Sequence, residues 1–203
     1  MKKNRISQIR EEVNILGIPP QDMLKREIAR QSRKESYRKI FRGVLIGIVV
    51  ITAVIIIITN MWLAVLQIDG SSMYPTLQPD QIVIAVRSDK PEKKDIIAFT
   101  YKYKIHVKRV IAVSGETVDI TGDGDVSVNG SALYEPYVKN PSLGNCEIDF
   151  PFTVPPGSVF VMGDNRPNSL DSRDSHFGPV SREQIIGKVK FCVWPLSKIG
   201  SVD

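Results

Sequence analysis

The chain has 203 residues, is 42% hydrophobic and 24% charged, and carries a formal net charge of +5. Those averages suit one ordinary soluble domain, yet the sequence is segregated: residues 1–42 hold 12 Lys and Arg against 5 Asp and Glu, and the 26 residues 43–68 hold no charge at all. Positive charge gathered in front of an apolar run, rather than across a folded face, excludes nucleic-acid binding as the reading of the basic pI and disfavours a soluble monomer.

In chain order, the head (1–42) reads as polar and partly helical, broken at Pro19 and Pro20, with good helix formers over 22–41. Its basic residues serve as an orientation signal, each one near an anionic surface being worth about 1 kcal/mol. Residues 43–66 read as a membrane anchor. About 20 apolar residues cross a hydrocarbon core, and lipid forces the backbone to close its own hydrogen bonds, so helix prevails despite the dense Ile and Val. Trp62 falls near the outer interface. A cleaved signal peptide is disfavoured, because its apolar region is about 7–15 residues long and begins near the N-terminus. Arg38, Lys39 and Arg42 beside the span put the N-terminus in the cytoplasm, leaving residues 67–203 outside at the plasma membrane.

That exported part reads as mainly β, a compact β-rich domain. Runs at 81–86 (QIVIAV), 95–101 (DIIAFTY), 104–113 (KIHVKRVIAV), 117–120 (TVDI), 126–129 (VSVN), 158–163 (SVFVMG) and 185–194 (IIGKVKFCVW) are β-branched and aromatic, punctuated by Gly, Pro, Asp and Asn. No long amphipathic helix interrupts them, which disfavours a doubly wound α/β fold. There is no internal repeat, no HExxH and no paired CxxC, so neither a metal nor another cofactor is expected. Cys146 and Cys192 lie on the side where a disulfide persists. Two cysteines carry no diagnostic spacing, so bridged and free thiols both stay open.

Three segments carry chemistry. The first is Asp69-Gly70-Ser71-Ser72-Met73-Tyr74-Pro75-Thr76-Leu77, where hydroxyls and a Pro-fixed turn stand just beyond the span; alone, such a pattern more often marks a turn than a nucleophile. The second is His106-Val107-Lys108-Arg109 within an alternating strand. If Lys108 faces inward, burial lowers its pKa from about 10.4 and makes it a general base; the plainer reading has Lys108 in water and Arg109 inside, or either in an ion pair. The third runs from Gly163-Asp164-Asn165-Arg166 through Ser169 to Asp171-Ser172-Arg173, two Asp, two Arg and two Ser in one irregular loop.

Together, and in this order, the three segments resemble the signature boxes of the type I signal peptidases. The resemblance covers the span and nearly all of residues 69–203, including the closing Trp194-Pro195-Leu196-Ser197-Lys198-Ile199-Gly200. It implies a β-rich catalytic domain on a membrane anchor, similar to the short Gram-positive form with one span. The implied activity is removal of signal peptides from exported preproteins after small residues at −1 and −3. Carried over by residue, it implies Ser72 as nucleophile, Lys108 as general base and Ser169 as the hydroxyl orienting the lysine. Asp164, Arg166, Asp171 and Arg173 take structural ion-pair roles. The Ser72 N–H and Gly70 form the oxyanion region, with Gly70 where some relatives carry a second donor hydroxyl. Ile68, Met73, Leu77, His106 and Val107 line the substrate site. The implied partners are preproteins with Ala-x-Ala sites, the lipid bilayer and, by proximity, the secretion translocase. The chain departs from the family pattern at Lys94-Asp95, where Gly-Asp is common, and at Val113-Ser114-Gly115-Glu116, where Leu-Pro-Gly-Asp is usual. His106 and His176 read as satisfied strand residues rather than catalytic ones. Three rival readings are a self-cleaving repressor, which needs a DNA-binding region, a non-catalytic signal-peptidase-like assembly factor, which is expected to lack the Ser or the Lys, and a tethered adhesion module, which predicts no serine-dependent turnover.

Overall fold

The computed structural model describes residues 8, 11, 17, 21–88 and 90–202. The expected break at Pro19 and Pro20 lies outside them, as does most of the head before Gln21. A single helix, α1, spans Gln21–Trp62, joining the expected head helix and anchor without interruption. At 1.5 Å per residue its 42 residues extend about 63 Å, roughly twice a hydrocarbon core. Its Val, Leu and Ile side chains from Val44 to Ile57 are exposed all round, as they are on a helix solvated by lipid.

The anchor was expected to stay helical to residue 66, and here the structure differs. Helix stops at Trp62, and Leu63–Gln67 form strand β1, paired residue by residue with β2 (Ile82–Val86) from Leu63↔Val86 to Gln67↔Ile82. Leu-Ala-Val-Leu-Gln is apolar enough for either state. An adjacent strand that satisfies its backbone groups decides for β, a choice made by tertiary context rather than propensity.

The other strands are β3 (Ile96–Tyr101), β4 (Lys104–Val113), β5 (Thr117–Ile120), β6 (Val126–Val128), β7 (Ser131–Ala132), β8 (Phe152–Thr153), β9 (Ser158–Met162), β10 (Val180–Ser181), β11 (Ile185–Trp194) and β12 (Gly200–Ser201). They build an antiparallel sheet in the order β1-β2-β11-β3-β4-β9-β10, with β12 on β11, and a smaller sheet β7-β6-β5-β8. Each β-rich run read from the sequence becomes a strand; the two-residue strands and β1 were not legible. The β3–β4 hairpin closes through Lys102 and Tyr103, both at positive φ (44° and 63°), which gives a turn whose twist matches that of its strands.

β4 organises the site. It pairs with β3 along Lys104 to Arg109, whereas its ladder to β9 begins only at Arg109↔Met162, so residues 104–108 keep one edge without a ladder partner. Both faces of its second half are covered. Ile96, Ala98, Met73 and Leu77 pack in one core on one side, and Ile97, Phe99, Val110 and Val161 pack in another. The plainer sequence reading is corrected for Lys108, which is 3% exposed rather than in water, and holds for Arg109, which is inside at 1% exposed and ion-paired. Cys146 and Cys192 are free thiols.

Candidate active site

Ser72 stands on a tight turn fastened at its base and from beneath. The Ile68 N–H donates to Gln81 O (2.8 Å), and the Asp80 N–H donates back to Ile68 O (2.9 Å). Gly70 takes φ +91°, which a side chain adopts only with strain. Within the turn, the Tyr74 N–H reaches Ser71 O (3.1 Å) and the Leu77 N–H reaches Met73 O (2.9 Å). Met73 and Leu77 are 2% and 1% exposed, and with Ile68 they belong to the core under the turn. Ile68, Met73 and Leu77, expected at the substrate site, lie buried directly beneath the Ser72 turn. Apolar residues flanking a short polar turn gain by burial, and here they support Ser72 from below. Ile68 also has both backbone groups occupied, so it offers no free pairing edge.

Lys108 points from β4 at the same turn, its Nζ 2.6 Å from Ser72 Oγ. Burial lowers the Lys108 pKa from 10.5 to about 8; Asp171 and Asp164 oppose that shift and Arg173 assists it. A neutral fraction of about one-tenth at pH 7, rising to half near pH 8, in an amine hydrogen-bonded to a serine hydroxyl is the arrangement that a Ser/Lys proton transfer requires.

The loop after β9 closes over this pair. Asp164 accepts from Arg109 through both oxygens (Nε–Oδ1 2.9 Å, Nη2–Oδ2 2.8 Å) and from Thr76 Oγ1 (2.5 Å), tying the Ser72 turn to β4. Arg109 also donates to Lys94 O (2.9 Å) and lies 3.9 Å from the Tyr137 ring centroid. Lys94, at φ +73°, occupies the left-handed conformation that favours glycine. Asp171 pairs with Arg173 by two bonds of 2.8 Å and accepts the Gly163 N–H (3.0 Å). Arg166 pairs with Glu135 (2.5 Å) and donates to Gly163 O (3.1 Å). The four expected ion-pair residues are thus buried and paired, but Asp164 pairs with Arg109 and Arg166 with Glu135, not with each other. Removing one partner of such a buried pair costs about 3–5 kcal/mol, because the other charge is left uncompensated.

Ser169 is buried beside the site, but its Oγ makes no hydrogen bond, so the expected bond to Lys108 is not formed. It sits against Gly163: a Cβ on Gly163 would collide with Ser169 Oγ and with Ser72 O. His106 is half-buried among Phe99, Tyr101 and Phe177, stacked on Phe99 at 6.0 Å. Burial, with the nearby positive Lys108 and Lys104, holds it below the ordinary imidazole pKa. Val107 is half-buried against the core beneath Ser72. His176 lies in an exposed turn rather than a strand.

Several supporting residues had escaped the sequence reading. Asn165 and Thr76 stood inside quoted motifs without a role, and nothing local marked them. Glu135 and Tyr137 come from a loop about 30 residues along the chain from the Arg166 and Arg109 they respectively meet, and only the fold brings them in. Among the described residues, exposed Glu147 and His176 and half-buried Asp174 bring ligand-type atoms within 4.8 Å of one another.

The family model described as signal peptidase, peptidase S26, matches residues 41–194. The chain is 32% identical over 180 residues to signal peptidase I S of Bacillus subtilis, covering 83% of this chain and 95% of that one. It is 36% identical over 162 residues to signal peptidase I of Bacillus amyloliquefaciens, covering 73% and 83%. A solved signal peptidase I from Enterococcus faecalis V583 is 36% identical over 49% of this chain and 96% of its own, with a TM-score of 0.41.

Proposed function

Because the chain belongs to the signal peptidase family, peptidase S26, we propose that Ser72 and Lys108 are its nucleophile and general base, and that residues 163–173 hold them in register. The protein is a membrane-anchored serine peptidase that removes signal peptides from exported preproteins. The observation that supports the assignment best is the 2.6 Å contact between Lys108 Nζ and Ser72 Oγ. The rival of a non-catalytic assembly factor is not favoured, since such a protein has no need of a desolvated lysine against a serine.

In the proposed mechanism, the preprotein backbone lies extended along the unpaired edge of β4 at 104–108, adding a strand as peptides do at sheet edges. Val107 and His106 flank that edge, and shallow pockets there select small side chains at −1 and −3. Neutral Lys108 takes the Ser72 hydroxyl proton as Oγ attacks the scissile carbonyl. The tetrahedral oxygen is held by the Ser72 N–H, with Gly70 leaving room beside it. Lys108 then gives the proton to the leaving amine, and a water, deprotonated by the same lysine, hydrolyses the ester. Ser169 Oγ, unpartnered next to the turn, is the hydroxyl that takes over Lys108 Nζ while Ser72 is acylated.

The excess of basic residues in the head sets the N-terminus in the cytoplasm, and residues 67–203 then meet preproteins on the outer face as they leave the translocase. The test is cleavage of a detergent-solubilised preprotein carrying Ala-x-Ala before its mature start. Product ending at the second Ala, absent with Ser72→Ala and with Lys108→Met, is expected; turnover that survives Ser72→Ala overturns the nucleophile.

A further inference from the structure

We infer that Asn165 is a positioning residue for the oxyanion donor; the inference rests on the Ser72–Lys108 reading above. The donor assigned there, the Ser72 N–H, belongs to the same planar trans peptide as the Ser71 carbonyl. In such a peptide C=O and N–H point in opposite directions, so whatever holds the oxygen aims the hydrogen. Ser71 O accepts two hydrogen bonds, from the Tyr74 N–H at 3.1 Å and from Asn165 Nδ2 at 3.1 Å. Both lone pairs are used, and a doubly loaded carbonyl polarises its amide, which makes the attached N–H a stronger donor.

The grip is two-handed. The backbone N–H of Asn165 donates to Ser72 O at 3.0 Å, so one residue holds the carbonyls on either side of the nucleophile's Cα. The Tyr74 bond is local to the turn, whereas Asn165 arrives from 94 positions further along the chain, just after β9. Asn165 thereby references the turn to the framework that carries Asp164, Arg109 and Lys108. At Gly70 there is no side chain to act as a second donor, so the aim of the Ser72 N–H bears more of the transition-state charge. The side-chain amide of Asn165 lies on the carbonyl side of the Ser71–Ser72 peptide and does not itself face the oxyanion, which makes it a positioning residue rather than a catalytic one.

The test uses the full chain in detergent, comparing wild type with Asn165→Ala and Asn165→Asp for kcat, KM, pH profile and thermal unfolding. The Ala variant deletes Nδ2 and leaves the backbone bond; the Asp variant sets a carboxylate oxygen against the Ser71 oxygen. Expected is a fall in kcat of about 10- to 100-fold for Ala and at least as much for Asp, with KM, the acid limb of the pH profile and the unfolding midpoint unchanged. A peptidyl aldehyde ending in Ala-x-Ala, whose adduct with Ser72 carries the oxyanion, should lose affinity for Asn165→Ala in step with kcat/KM. Three results would overturn the inference: kcat retained in Asn165→Ala, activity lost only together with the folded fraction, or a displaced acid limb, which would mean that Asn165 acts through Lys108. Cleavage surviving in Ser72→Ala or Lys108→Met brings down the parent reading instead, so the two failures are distinguishable.

Discussion

Lys108 owes its chemistry to where β4 places it. An ammonium with water around it keeps its proton to above pH 10; with its surroundings dry, the folded protein releases it near pH 8. With the neutral amine as the proposed base, kcat/KM should rise with pH to a plateau, with a midpoint near 8, and at pH 6 it should stand about 100-fold below the plateau. A flat profile between pH 6 and 9 in a steady-state assay would contradict the lysine base. The stability sign follows from the same shift. Between about pH 8 and pH 10.5 the unfolded chain binds more protons at this lysine than the folded one, so stability rises with pH across that window. Below pH 8 both forms are protonated and the folded protein carries the full burial penalty, about 3 kcal/mol. Lys108→Met should therefore abolish cleavage and raise the thermal midpoint at pH 7; a lowered midpoint would argue against a dry ammonium.

The elements that matter are the end of β9 and the turn around Ser72, which touch through backbone. Gly163 follows Met162 without room for a Cβ: Ser72 O and Ser169 Oγ occupy that space, and the first is main chain that cannot rotate away. Gly163→Ala must displace the nucleophile's own carbonyl. A shift of about 1 Å at a reacting group costs about 100-fold in rate, and that loss is expected in kcat, while Gly122→Ala, whose Cβ meets nothing within 4 Å, leaves it unchanged. Normal turnover by Gly163→Ala would show that the close approach is not needed. The same stretch explains why so many charges are buried here. Arg166, Asp171 and Arg173 bond to main-chain groups as well as to their charged partners, so main-chain groups of the irregular loop are satisfied without a ladder, while Asp164 is held by the side chains of Arg109 and Thr76.

On the scale of the whole molecule, charge and hydropathy are distributed along the chain in the order that a membrane requires. Basic residues come first, then an apolar stretch exposed on every side, then a β-rich domain whose excess charge is slightly negative. With the N-terminus inside, protease added to intact spheroplasts should digest a tag at the C-terminus and spare one at the N-terminus, and inverted vesicles should give the reverse pattern. The opposite pattern would refute the proposed orientation and put Ser72 on the wrong side for exported preproteins.

The sequence by itself determined whatever depends on local pattern. Twenty-six uncharged residues behind a basic head point to an anchor, period-two apolar runs announce strands, and three motifs in order announce a member of the signal peptidase family. Tertiary structure alone decided the rest. That Leu63–Gln67 leave the helix depends on β2 being present to pair with them. That Lys108 and Arg109 are both buried could not be read from an alternating strand, since alternation says that they face opposite sides but not that both sides are covered. Asp164 finds Arg109 rather than nearby Arg166, and Arg166 finds Glu135, because ion pairs in a folded core join whatever the topology brings within about 3 Å, whatever the separation along the chain. Ser72, the proposed nucleophile, was legible as a residue type in a motif; the shape that aims its N–H exists only once residues 70–77 and 163–173 are folded against each other.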